Sequence, residues 1–123
     1  MDASVSMLLP GRVGMVVRLP GLPGTRPGLL DALHQYVDRL DEEPGTEGFV
    51  IALDPMNSDV VWLQEWFTDD DAMEAPRAAP AFAELIVAMS PLLTDSAGIL
   101  RLDPLRVHLA GPLVAALDSD ELG

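Results

Sequence analysis

The chain contains no cysteine and no lysine. Without cysteine there is no disulfide, no thiolate metal site and no cysteine nucleophile. Without lysine all positive charge rests on arginine, seven residues against 20 aspartates and glutamates, for a formal net charge of −13. So acidic a surface repels nucleic acid and anionic membrane at long range, and neither is expected as a partner; solubility is its simplest use. Uninterrupted apolar runs extend only a few residues, far short of the roughly 20 that span a bilayer. The opening MDASVSMLLPGR has no basic region followed by a long apolar one, so no secretory signal is expected and a cytoplasmic location is the default. Gly21 and Gly24 precede neither a phosphate-cradling loop nor a dinucleotide fingerprint, and no Ser-His-Asp order can be drawn. Histidine occurs twice, at His34 and His108.

What is present is one domain's worth of chain, 123 residues with 49% apolar and 22% charged side chains. A domain of this size buries roughly two thirds of its unfolded surface, enough for one core. Residues 1–11 read as a flexible leader ending at Pro10-Gly11. Residues 13–19 are a strand by their β-branched content. Three prolines and three glycines between Pro20 and Gly28 make a loop. A helix then runs to Glu43, with Leu29, Leu30, Leu33, Val37 and Leu40 as its apolar stripe and Pro27 in its first turn. Glu43-Pro44-Gly45 ends it.

Phe49, Ile51 and Leu53 share one face of a second strand. In a third, Val60 to Phe67, the side chains of Trp62, Gln64 and Trp66 point one way and those of Val61, Leu63, Glu65 and Phe67 the other. The short loop between these strands makes them an antiparallel pair. Thr68 or Asp69 caps a second helix that runs to about Leu93, broken near Pro76 and Pro80, with Phe82, Leu85, Ile86, Met89 and Leu93 as its stripe. A last strand, 98–109, is broken or bulged at Asp103-Pro104, and an acidic tail occupies 110–123. The order strand, helix, strand, strand, helix, strand is the ferredoxin-like βαββαβ unit, an α+β fold with a four-stranded antiparallel sheet and two helices on one face. The other face stays open in a monomer, so a homodimer packed sheet to sheet is expected.

The sequence also resembles a known family, the antibiotic biosynthesis monooxygenase (ABM) domains, which are dimeric α/β barrels. The resemblance is carried by Glu42-Glu43-Pro44-Gly45 with Gly48-Phe49, by Trp62 to Phe67 with Glu65-Trp66, by Asp70-Asp71-Ala72-Met73 and by Pro80-Ala81-Phe82, over residues 12–108. It implies a monooxygenase-like protein that oxidises a small aromatic or polyketide-type substrate with molecular oxygen and no flavin, metal or other cofactor. Such chemistry needs an apolar pocket, an aromatic wall and a proton acceptor. By position Trp66 matches a pocket tryptophan of such members. Polar pocket residues found elsewhere in the family, an asparagine, a tyrosine and an arginine, are Trp62, Met73 and Ile86 here. A haem-opening branch uses a histidine on the second helix, and none lies between residues 69 and 93.

The candidate substrate-binding residues are therefore Trp66, Trp62, Met73, Phe82 and Ile86. His34, at the edge of the first helix's apolar stripe, is a candidate general base because imidazole titrates near neutrality, although a helix-edge histidine with no neighbouring carboxylate motif is more often structural. His108 is read as an interface residue. Glu65, facing away from Trp66, is expected to pair with an arginine or cap backbone groups. Asp69-Asp70-Asp71 is explained by helix capping, and no metal is expected. The alternative to an enzyme is a catalytically silent dimer that binds a small apolar or aromatic molecule or another protein.

Overall fold

Val13–Pro20 and Val60–Phe67 alternate in register, and together they form the centre of the structure. The computed structural model describes residues 3–117. Its strands are β1 (Val5–Leu8), β2 (Val13–Pro20), β3 (Thr46–Leu53), β4 (Val60–Phe67), β5 (Gly98–Leu102) and β6 (Arg106–Leu109). Its helices are α1 (Arg26–Val37), α2 (Asp70–Glu74), α3 (Pro80–Met89) and α4 (Gly111–Leu117). The main sheet is antiparallel in the order β3-β4-β2-β5. It is an α+β, ferredoxin-like arrangement, as the element order requires, with α1 and α3 packed together over one face.

That face carries Val17 and Leu19 of β2 and Val61 and Leu63 of β4, buried against Leu29 and Leu33 of α1 and Leu85 and Met89 of α3. Leu29 and Leu33 are wholly withdrawn from solvent. Truncating either to alanine would cost roughly 2–5 kcal/mol. Arg39, just past α1, reaches both Glu42 and Glu84 and ties the two helices together at the surface.

Four expectations need correction. First, α1 stops at Val37, and a single 3₁₀ turn over Leu40–Glu42 follows. The break lets Glu43 fold back, where its carboxylate accepts a hydrogen bond from the Tyr36 hydroxyl at 2.6 Å. The buried positions of α1 are Leu29, Ala32, Leu33 and Tyr36, a stripe rotated so that Tyr36 points inward. Second, the supposed leader contains β1. Third, the last strand is two strands in two sheets. Pro104 has no N–H to give a ladder, so β6 leaves the main sheet and pairs with β1, with Ser6 opposite His108. Fourth, the start of the tail is a helix, α4. The acidic end, 118–123, lies outside the described residues. The proline breaks in the second helical stretch fall where the sequence puts them. A 3₁₀ turn over Ala75–Ala78 separates α2 from α3, and Asp69 caps α2 by accepting from the Ala72 N–H at 2.8 Å.

Candidate functional site

Between the helix-covered face and α3 lies a cavity of about 160 Å³. The sheet supplies its floor, with Met15 and Val17 of β2, Phe49 of β3, and Leu63, Glu65 and Phe67 of β4. Tyr36 of α1, Met73 of α2 and Phe82, Leu85 and Ile86 of α3 close the other sides. Arg77, Ile86 and Ile99 line it and are also exposed, which marks where it opens. Tyr36 is set edge-on to both Phe49 and Phe82, with ring centroids 5.8 and 6.2 Å away.

Besides Arg77 at the mouth and the Tyr36 hydroxyl, one lining side chain breaks this apolar pattern. Alternation along β4 puts Glu65 in the same row as Val61, Leu63 and Phe67, opposite Met15. No hydrogen bond reaches its carboxylate among the described residues. Burial lifts its pKa to about 7, and the negative charge of Glu43 pushes the same way. Glu43 is itself buried; its Oε2 accepts from Tyr36, while its Oε1, like the Thr46 hydroxyl, is buried without a partner. Burial and the contact with Glu43 hold the Tyr36 hydroxyl in its protonated form well beyond the usual phenol range. The site therefore combines an apolar chamber with one carboxyl poised to gain or lose a proton near neutrality.

Of the residues singled out from sequence, Met73, Phe82 and Ile86 come together on this cavity, and Trp66, Trp62 and His34 do not. Trp66 and Trp62 stand on the opposite face of β4. Trp66 lies over Gly48, where an added Cβ would run into its ring. The Trp62 indole N–H donates to Asp54 at 2.9 Å, and the Arg18 guanidinium lies 6.0 Å from the ring centroid. Asp54 is held below the ordinary carboxylate range, chiefly by that indole contact. His34 is exposed on α1. His108 is exposed on β6, away from the main sheet. Glu65 pairs with no arginine among the described residues, contrary to expectation: Arg77, at the mouth of the chamber, is paired with Glu74, and Arg101 with Asp70 and Asp103. Glu65, Tyr36 and Glu43 went unselected, although a carboxylate alternating with Leu63 and Phe67 is itself a signal. Among the described residues no three His, Cys, Asp or Glu side chains gather as a metal site, and no helix is long and apolar enough to cross a membrane.

A ferredoxin-like domain with a chamber between sheet and helices defines the structural class. Residues 12–88 match the family model described as antibiotic biosynthesis monooxygenase, and the chain belongs to that family. Among solved structures it is similar to one from Caulobacter crescentus named for the same family, at 20% identity and a TM-score of 0.71, covering 78% of this chain and 92% of that one. PA3566 from Pseudomonas aeruginosa is similar at 21% identity and a TM-score of 0.71, covering 79% and 97%. Rv0793 from Mycobacterium tuberculosis gives 20% and 0.69, covering 76% and 95%. At such identities these likenesses bear on the fold alone. No curated protein matches the sequence.

Proposed function

We propose that the chain is an oxygenase that converts an electron-rich phenol to a quinone with molecular oxygen, with Glu65 as the proton acceptor. The observation that carries this is a single carboxyl with a pKa of about 7 in a mostly apolar chamber. A base poised near the working pH takes a phenolic proton at least cost. The phenolate gives an electron to dioxygen, and the two radicals combine at the ring carbon para to the oxygen. Loss of water from the resulting peroxide leaves the quinone. The balance is phenol plus dioxygen to para-quinone plus water: one oxygen atom enters the ring and the other leaves as water. Met73, Phe82 and Ile86 hold the ring, and the surrounding apolar side chains keep bulk water from the intermediates.

Oxygen uptake with a phenolic substrate, without added metal or flavin, tests this directly. Glu65→Gln should lower turnover about 100-fold or more, the usual contribution of a general base. His34→Ala should leave it unchanged. One observation favours the second reading, a catalytically silent ligand-binding dimer. Met73 and Ile86 are apolar where the family resemblance implies a tyrosine and an arginine. Full activity in Glu65→Gln, or no uptake with any phenol, would select that reading. In either case the protein is proposed to work as a homodimer through the open sheet face, where Val50, Leu100 and Leu102 are exposed.

A further inference from the structure

The chamber's size and hydrogen-bonding character say which phenols it can hold. Its volume, about 160 Å³, is close to that of an engineered apolar cavity of about 150 Å³ that accommodates benzene. One ring fits such a space and a fused tricyclic does not. The lining side chains, moreover, offer acceptors and almost no donors. Glu65 presents carboxylate oxygens, and Met15, Met73 and Met89 present thioether sulfur, a weak acceptor. The Tyr36 hydroxyl proton is already given to Glu43, so only its lone pairs are free. Arg77, the one cation in the lining, is exposed at the mouth and paired with Glu74 at 3.1 Å.

We infer that the chamber selects a single-ring ligand without negative charge that donates a hydrogen bond to Glu65, and that it discriminates against ring carboxylates and against quinones. This rests on the oxygenase reading only in naming a phenol as that donor. A carboxylate-bearing ring would face Glu65 with like charge and meet no inward donor. A quinone has carbonyl oxygens alone, so substrate and product differ in the one property the site reads, and the product is held less tightly than the phenol it came from.

The charged and titratable groups around Glu65 are few. Tyr36 and, behind it, Glu43 lie on the α1 side, and Arg77 is at the mouth. The lining residues of β2, β3 and α3 carry no charge. Arg101 of β5 is engaged with Asp70 and Asp103. The preference for donors should therefore strengthen as pH rises through the titration of Glu65.

The test is equilibrium binding by calorimetry under argon at pH 8.5, using hydroquinone, its dimethyl ether, para-hydroxybenzoate and a tricyclic dihydroxyanthrone. Hydroquinone should bind at least about tenfold more tightly than each of the others, the scale of one hydrogen bond to a charged group. In Glu65→Leu the advantage over the ether should vanish. In Glu65→Gln, whose amide can donate, para-hydroxybenzoate should gain affinity. Equal binding of hydroquinone and its ether, tighter binding of the tricyclic, or no gain for para-hydroxybenzoate in Glu65→Gln would each overturn the inference. Because no oxygen is present, the outcome is independent of turnover. The expected ranking with no oxygenase activity would leave the ligand class standing and retire the enzyme. Turnover of the tricyclic with the ranking inverted would do the reverse.

Discussion

Glu65 is where one side chain's surroundings change its chemistry. A carboxyl whose pKa is higher folded than unfolded binds its proton more tightly in the native chain. Its stabilising contribution is therefore present at low pH and is lost as pH rises from about 4.3, the unfolded value, through about 7. The loss amounts to at most about 4 kcal/mol, from the shift and 1.36 kcal/mol per pKa unit. Glu65→Gln should consequently become more stable than the parent as pH is raised from 4.5 to 8, while its activity falls. Thermal midpoints of the two proteins across that range check this, and a pH-independent gap would show that Glu65 ionises normally. Tyr36→Phe leaves a buried carboxylate without its partner and should cost about 1–3 kcal/mol at neutral pH, read from denaturant midpoints.

Local geometry predicts substitution effects element by element. Where β3 crosses β4, Gly48 sits directly opposite Trp66 beside a register shift, and the indole covers it. Gly48→Ala should destabilise the fold by roughly 1–3 kcal/mol, the cost of overpacking. Replacing Trp66 by leucine in the same chain should recover part of that loss, because the two positions are coupled. Simple additivity in a thermal-denaturation cycle would sink this account. At α2, Asp69→Ala removes that helix's side-chain cap and should cost about 1 kcal/mol. The β1–β6 ribbon was not legible from sequence, since its strands are four residues each and about 100 positions apart. Short strands with exposed apolar residues such as Val5, Met7 and Leu8 look like a leader until the partner is known.

At the scale of the molecule, the balance between covered and uncovered sheet decides assembly. Two helices cover one face; the other carries Val50, Leu100 and Leu102 exposed, beside the partly covered Trp62 and Trp66. Light scattering coupled to size exclusion at micromolar concentration should give twice the chain mass. The double substitution Leu100→Asp with Leu102→Asp should halve it without loss of helix content. A parent protein that elutes as a monomer would rule out the sheet-to-sheet dimer.

The sequence alone determined the βαββαβ order of the main sheet and its covering helices, the antiparallel pairing of β3 with β4, and the breaks at Pro76, Pro80 and Pro104. These follow from local rules, because period, proline and glycine act on their own neighbours. Period two also showed that Glu65 and Trp66 lie on opposite faces of β4. It could not show which face the helices cover, because both carry large apolar side chains. Only the tertiary structure decided that. It put Leu63, Glu65 and Phe67 on the chamber and Trp66 on Gly48, and rotated α1 so that Tyr36 meets Glu43. The proton affinity of Glu65 depends on how deeply neighbouring elements bury it and on a charge 22 residues away in sequence, and neither is a property of the strand that carries it.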